Sequence, residues 1–336
     1  MIYMRLTPIL ICVKRSVRNK PSSLMNLYTV YTMSTTYNTI LDDMKTSLRQ
    51  AYGSTLSYFL ANLGMIIVVG ILAALIAIPV LIGVFFALAP FNPAALAAMS
   101  GWATANPLAI GGLALLVLIP LVSMFLVVSG SIYGMSHELV TTGETKAETA
   151  FSYLKRKFLT FFGTGVILTI FVILPPTIAW SLTSYAMGYA VTTTASTLLT
   201  IFTFVWVFIT GGLTSMVWPA VVSGKGVQEA FKESYSLSIR YFDRVFGLLT
   251  GIVLLLAATF GPVIIAAFAM AAFLPPITVF SPIIPAMIGV ALWTVVSVFL
   301  WLLLFLPMVR IAWTRVYQEL TGGTIASQIP AEVPIV

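Results

Sequence analysis

Charge is scarce in this sequence and is missing altogether from three long stretches. Only 8% of the 336 residues are Asp, Glu, Lys or Arg, whereas soluble domains carry about 25%. No Asp, Glu, Lys, Arg or His occurs in 50–136, 158–224 or 245–309, which are 87, 67 and 65 residues long. One membrane helix needs about 20 apolar residues, so each stretch fits two. The composition therefore excludes a soluble protein and predicts six transmembrane helices.

Residues that carry catalytic or metal-binding chemistry are equally rare. Cys12 is the only cysteine, which excludes an intrachain disulfide, and His137 is the only histidine. The segment HELVT at 137–141 lacks the second histidine of an H-E-x-x-H zinc site. The glycines around Lys225 lack the spacing of a phosphate-binding loop. We predict no catalytic residue, no cofactor site and no metal site, and a protein that is not an enzyme.

The apolar pattern predicts an all-α, polytopic membrane protein built from three helical hairpins, at about 59–133, 159–221 and 246–310. The predicted helices lie near 59–88, 108–133, 159–186, 196–221, 246–273 and 286–310. We divide the chain into a basic segment at 1–32, a six-helix membrane domain at 33–320 and a tail at 321–336.

The basic residues are distributed very unevenly. All 17 Lys and Arg lie in the N-terminal segment, in the loops 134–157 and 225–244, and at the C-terminal end. The three turns within the hairpins carry no charge at all. The positive-inside rule then predicts a multi-pass protein of the cell membrane with both termini in the cytoplasm. The net charge of +7 comes mainly from residues 1–32, so it does not indicate a nucleic-acid partner.

One short pattern opens each hairpin. Phe, three residues, Leu or Phe, and then Gly occurs in YFLANLG at 58–64, in KFLTFFG at 157–163 and in YFDRVFG at 241–247. Apolar residues at helical spacing beside Lys and Arg precede each copy, which is typical of an amphipathic helix lying in the membrane interface. We predict three hairpin repeats in parallel orientation, each preceded by such a helix, with the glycine placed where the chain bends into the span. The alternative is chance similarity among apolar segments.

A longer segment resembles a known family. The run WPAVVSGKGVQEAFKESYSLSIRYFDRVFGLL at 218–249 and the closing VYQELTG at 316–322 resemble the six-helix membrane domain of prokaryotic glycerophosphodiester phosphodiesterases and its stand-alone relatives of unassigned function. The resemblance covers about 40–330, and no phosphodiesterase domain accompanies it here. It implies the six-helix fold and carries no activity with it.

The basic loops and the prolines supply the candidate site residues. We predict contact with lipid headgroups at Lys155, Arg156, Lys157, Arg240 and Arg244. Each predicted span also holds proline, which removes a backbone hydrogen bond and kinks a helix. The residues that could open a groove in this way are Pro79, Pro175, Pro176 and Pro262; the alternative is that the kinks serve packing only.

Small and hydroxylated residues in the spans leave further alternatives open. The fourth span carries Thr200, Thr203, Thr210, Thr214 and Ser215. These hydroxyls either line a polar path or hydrogen-bond a neighbouring helix, and we favour the second interpretation. The glycine pairs at 130/134 and 247/251 have the spacing of close helix contacts, either internal or between two copies of the chain.

Two functions fit these features. The first is a non-enzymatic membrane protein that organises membrane lipids or a membrane-protein partner through its charged end. The alternative is a transporter or exporter of a small amphiphilic solute through a proline-kinked cavity. The spans lack the carboxylates and histidines that proton-coupled carriers use, which argues against a proton relay but leaves a passive or lipid-handling route.

The first 32 residues have two interpretations. They form either a disordered basic arm that touches anionic headgroups, or an upstream extension that is not translated, with the protein starting at Met33. We expect the start at Met33, because MSTTYNTILDDMKTSLRQ begins with a helix-capping pattern. N-terminal sequencing of the native protein checks this, and recovery of any peptide from residues 1–32 would contradict it.

Overall fold

The computed structural model describes residues 37–88, 101–102, 105–188, 190–272 and 283–326. Within these ranges the regular secondary structure is entirely helical. Backbone packing separates residues 1–39 from a compact unit at 40–336. Of the first unit only residues 37–39 are described, as the first residues of a helix, and the contacts below all belong to the second unit.

The described helices follow one another along the chain in this order. They are α1 (Tyr37–Gly53), α2 (Thr55–Leu88), α3 (Pro107–Thr142), α4 (Ala147–Leu168), π1 (Thr169–Ile173), α5 (Leu174–Ala186), α6 (Thr193–Thr214), α7 (Val217–Val222), α8 (Val227–Arg240), α9 (Phe242–Ala272), α10 (Ile283–Leu300), π2 (Trp301–Phe305) and α11 (Leu306–Thr321). The π segments have the wider turn of the π-helix and continue the helices on either side.

The described residues contain six helical segments long and apolar enough to cross a membrane, which confirms the predicted multi-pass, all-α architecture. Two of these segments run further than predicted: α3 continues to Thr142 and α11 to Thr321. Both helices carry on through the buried core at the charged end of the bundle, so packing extends them beyond the apolar run. The basic segment 1–32, most of the first and third turns, and the tail from 327 lie outside the described residues.

A short helix precedes the first span of every hairpin, and the backbone breaks between them. The breaks fall at Ser54, at Lys157 (φ −122°, ψ 18°) and at Tyr241 (φ −116°, ψ 44°). In the second and third hairpins the break lies directly before Phe158 and Phe242, where the repeated pattern begins. In the first hairpin it comes a few residues earlier, so the bend and the pattern coincide in two cases of three.

The glycines of the repeated pattern mark contacts between hairpins. A Cβ placed on Gly64 would lie 2.6 Å from the ring of Phe151, in the short helix of the second hairpin. A Cβ on Gly163 would lie 3.5 Å from Val227, at the start of the short helix of the third hairpin. Each of these first spans therefore contacts the short helix that precedes the next hairpin.

The first span of the third hairpin contacts α1, the short helix that precedes the first hairpin. A Cβ on Gly247 would lie 2.4 Å from Ile40, and one on Gly251 would lie 2.9 Å from the sulfur of Met44, both in α1. The three short helices thus pack around the three first spans in a closed order. This glycine pair serves an internal contact, as does Gly130, which faces the ring of Trp218.

The buried core lies at the charged end, defined here as the end that carries α1, α8 and the loop before α4. Its fully buried large side chains include Tyr58, Met65, Ile132, Met135, Phe161, Met216, Leu248 and Ile311. Towards the other end the apolar side chains become exposed; Leu116, Ile265 and Phe268 are examples. Exposed apolar surface on spanning helices is the surface that lipid covers.

A matched pair of glycines in α4 tests the closeness of this packing. A Cβ on Gly165 would lie 2.9 Å from the backbone oxygen of Ser123 in α3, whereas Gly163 has only ordinary contacts. We expect Gly165→Ala to lower the free energy of unfolding by about 1–3 kcal/mol, because a backbone neighbour cannot swing aside. Gly163→Ala should cause no loss, since Ala favours helix by about 1 kcal/mol over Gly. Thermal unfolding in detergent measures both, and equal shifts would contradict the contact.

Candidate functional site

A cavity of about 240 Å³ lies beside the buried core and is bordered by five of the six spans. No charged residue lines it, and aromatic rings and two hydroxyls form much of its wall. The lining residues are Leu126, Tyr133, Leu168, Val172, Ile173, Gly211, Thr214, Ser215, Trp218, Leu249 and Trp313. We call this space the inner cavity.

A second cavity of about 410 Å³ lies along the second hairpin. Val172 and Ile173 line both spaces, so the two adjoin at π1. The other lining residues are Pro176, Thr177, Trp180, Ser181, Thr203 and Val207. We call this space the outer cavity; together the two form a groove that runs along the third and fourth spans.

The wall shared by the cavities is formed by an irregular stretch of the third span. Pro175 and Pro176 come two and three residues after the end of π1, and neither has an N–H to donate to the preceding turn. The wider π turn accommodates the two rings, and Trp206 Nε1 donates a hydrogen bond of 3.2 Å to the Phe171 carbonyl, four residues before Pro175. Pro176 lines the outer cavity and Pro175 lines neither cavity, and the role of these prolines in opening a groove stays a prediction.

The fourth span is interrupted beside the inner cavity. α6 ends at Thr214 and α7 begins at Val217, because Pro219 cannot donate to the Ser215 carbonyl. α8 satisfies the open backbone groups: Ser234 Oγ donates to the Leu213 carbonyl at 2.8 Å and accepts from the Met216 N–H at 3.2 Å. Sequence analysis missed this break, although Pro219 was the signal that could have located it.

The hydroxyls of the fourth span hydrogen-bond mainly to their own helix. Thr214 Oγ1 donates to the Thr210 carbonyl at 2.7 Å, and Ser215 Oγ donates to the Gly212 carbonyl at 2.8 Å. Thr203 Oγ1 instead accepts from Trp180 Nε1 of the third span at 3.1 Å. Thr203, Thr214 and Ser215 also line the cavities, and the hydrogen bond to a neighbouring helix that we favoured occurs at Thr203.

The remaining candidate prolines lie elsewhere. Pro79 and Pro262 fall inside the continuous helices α2 and α9, and neither lines the groove. Near Pro262, the Thr259 carbonyl accepts a hydrogen bond of 3.1 Å from Trp293 Nε1 of the facing span. In both hairpins a tryptophan N–H therefore donates to a backbone carbonyl of the facing span.

A buried ion-pair network ties α1 to the third hairpin. The Arg244 guanidinium binds both carboxylate oxygens of Asp43, with the Nη2–Oδ2 distance 3.0 Å, and also pairs with Glu319. Arg315 completes the network through Nε, 3.1 Å from Glu319 Oε1. Burial raises the pKa of the Asp43 carboxyl above its usual range, and the Arg244 guanidinium opposes that rise.

The five basic residues predicted to contact lipid headgroups differ in their surroundings. Lys155, Arg156 and Arg240 are exposed, as headgroup contacts require. Lys157 Nζ donates to the carbonyls of Val221 and Val222 at 2.7 and 3.0 Å, at the end of α7. Its charge therefore caps a helix C-terminus, and the charge of Arg244 is engaged in the buried network.

The polar residues around His137 form a second network at the charged end. Gln318 Nε2 lies 3.0 Å from His137 Nδ1 and donates to Ser223 Oγ at 3.3 Å. Glu319 pairs with Arg244 and Arg315, whereas one carboxylate oxygen of Glu138 is buried without a hydrogen-bond partner among the described residues. Across the same ranges, no cluster of three or more His, Cys, Asp or Glu could hold a metal ion.

Arg310 is the residue that sequence analysis missed. It follows the last charge-free stretch directly and looked like part of the charged flank, yet it lies within the sixth spanning segment and is only 9% exposed. Its guanidinium donates to Asn62 Oδ1 of α2 at 3.2 Å. The neighbouring tyrosines are Tyr58 and Tyr133, of which Tyr133 also lines the inner cavity.

Comparisons with protein-family models, with curated proteins and with solved structures give no match to this chain. The resemblance to the phosphodiesterase-associated membrane domain therefore stays a prediction, and the site is interpreted from its own geometry.

The role of Arg244 is checked by comparison with Arg240, four residues earlier in the chain at the end of α8. We expect Arg244→Gln to lower the free energy of unfolding by about 3–5 kcal/mol, because it leaves Asp43 buried without its counter-ion. Arg240→Gln should change it by less than about 1 kcal/mol, since that side chain is exposed against the ring of Tyr241.

Thermal unfolding in detergent gives the two values. Adding Asp43→Asn to Arg244→Gln should recover part of the loss, since no buried charge is then left unpaired. A loss for Arg244→Gln as small as that for Arg240→Gln would contradict the proposed importance of the network.

Proposed function

We propose that this protein is a transporter or exporter of a small amphiphilic solute, which it carries along the groove between its hairpins. The observation that carries the proposal is the adjoining pair of cavities beside an interrupted fourth span and a π-bulged third span. Irregular backbone at membrane depth is tolerated where it is buried in protein or lines a cavity, and substrate sites of transporters are commonly built from such broken helices.

The lining of the groove suits an amphiphile. Aromatic rings of Trp218, Trp313 and Tyr133 stand at one end and Trp180 at the other, with aliphatic side chains between them. Hydroxyls are present along the length, and charged side chains are absent from the lining. The volume of the outer cavity falls within the range of about 300–1,000 Å³ that is usual for small-molecule sites.

The arrangement of the hairpins supports a simple mechanism. We infer that the three hairpins are parallel repeats around an axis along the membrane normal, each preceded by an amphipathic interfacial helix, because their short helices and first spans contact one another in a closed order. Small shifts of the second hairpin within this ring would open the groove to one side and then to the other. The positive-inside rule orients the charged end, and both termini, towards the cytoplasm of the cell.

The exposed basic residues retain a role in this proposal. Lys155, Arg156 and Arg240 would bind anionic headgroups and fix the charged end against the cytoplasmic leaflet. The other function, organisation of lipid or a partner without transport, rests on the same residues. The groove favours transport over this lipid-organising function. In both cases we propose a non-enzymatic protein without a cofactor.

A matched pair of glycines tests the groove. Gly211 lines the inner cavity and Gly261 does not, and a Cβ on either would meet open space. In proteoliposomes that contain a fluorescent lysophospholipid, dithionite bleaches only the probe in the outer leaflet, so carriage across the bilayer appears as further bleaching. We expect the wild type to carry the probe, Gly211→Phe to do so about tenfold more slowly or less, and Gly261→Phe to match the wild type.

Two results would contradict the proposal. Bleaching by the wild type that equals protein-free liposomes would exclude transport of this amphiphile and leave the lipid-organising function. Equal rates for Gly211→Phe and the wild type would show that the probe does not pass through the inner cavity.

A further inference from the structure

The buried guanidinium of Arg310 has no counter-ion among the residues that the structure describes. The buried side chain of Arg244 pairs with carboxylates, whereas Arg310 has no carboxylate within 4.0 Å among the described residues. Nine of the ten acidic residues lie in the described ranges, and Glu332 lies outside them. Burying an unpaired charge is costly, so ionisable residues inside membrane segments are usually kept for a function.

The residues that the structure places around Arg310 are polar and uncharged. Asn62 accepts one bond from the guanidinium through Oδ1, while its Nδ2 is buried without a partner among the described residues. The Tyr58 hydroxyl lies 2.8 Å from Ser136 Oγ, and Tyr133, the other neighbouring tyrosine, also lines the inner cavity. A guanidinium beside an unpartnered amide N–H group suits a carboxylate or phosphate group.

The depth of Arg310 suits the head of an amphiphile. From Met287, where the apolar part of the sixth span begins, to Arg310 a helix rises about 35 Å at 1.5 Å per residue. This slightly exceeds a hydrocarbon core of about 30 Å. The guanidinium therefore lies near headgroup level at the charged end, and its neighbour Tyr133 and Trp313, three residues further along α11, line the inner cavity.

We propose that Arg310 and Asn62 bind the oxyanion head of the solute, a carboxylate or a phosphate, and that its apolar tail lies in the inner cavity against Trp218 and Trp313. The proposal rests on the proposed function and adds the substrate class, an anionic amphiphile. A guanidinium offers two parallel N–H groups to an oxyanion, which gives both charge and geometry to the recognition.

Tryptophan fluorescence provides the test, because bromine quenches tryptophans that it approaches. The probes are dibromostearic acid and the uncharged dibromostearyl alcohol, added to the full chain in detergent. We expect the acid to quench saturably, with an affinity about tenfold or more lower in Arg310→Gln and several-fold lower in Arg310→Lys. The control Lys232→Gln removes an exposed charge from α8 and should leave the affinity unchanged.

Competition and stability separate the outcomes. Displacement of the acid by inorganic phosphate would support an oxyanion site that also takes the free ion, and failure to displace it would support a site that requires the tail as well. Without amphiphile, Arg310→Gln should unfold at no lower temperature than the wild type, because an unpaired buried charge is removed. A marked drop, or failure to fold, would assign Arg310 a structural role and overturn the proposal.

Different results would overturn the anionic substrate class and the groove itself. Equal quenching by acid and alcohol, unchanged in Arg310→Gln, would overturn the anionic class and leave the groove as an amphiphile site. Absence of saturable quenching by either probe would overturn the binding groove itself.

Discussion

The backbone hydrogen bond is the constraint on which this structure depends. In an apolar surrounding each unsatisfied N–H or carbonyl costs several kcal/mol, and this chain places proline in its spans. Where prolines remove donors, the chain supplies substitutes. Trp206 donates to the Phe171 carbonyl beside Pro175, and Ser234 serves both sides of the break before Pro219. The groove exists because these repairs fix an irregular backbone in place.

Because packing is close at the charged end, the rest of the bundle does not need to pack as closely. Close contacts at Gly165 and Gly130, and the buried pair of Asp43 with Arg244, hold the hairpins together there. Lipid chains are as apolar as the side chains they meet, so there is little hydrophobic gain in bringing the far halves together. Because the close packing is at the charged end, one hairpin can move against the others while the bundle remains assembled.

The coarse fold could be predicted from the sequence because it follows from the number and the length of the charge-free stretches. Three charge-free stretches, each long enough for two helices, predict the six spans. Local backbone events were partly predictable: Pro175 and Pro176 indicated a groove, whereas the break at Pro219 was overlooked. Pairings between distant segments were not predictable from one sequence. Nothing in the chain indicated that Arg244 would meet Asp43, since that contact joins helices from two different hairpins.

Arg310 shows why the site was harder to predict than the fold. In the sequence it is the first charge after an apolar run, which is where flanking residues that face headgroups are found. Whether such a residue points to lipid or into the bundle depends on the side to which the helix is turned. Here α11 continues through the core, and Asn62 of α2 faces the guanidinium. No carboxylate among the described residues pairs with this buried cation, and the anionic amphiphile that we propose would supply the missing negative charge. This reasoning also bears on the absence of intramembrane carboxylates: a carrier whose solute brings the negative charge has no need of a protein acid in the same place.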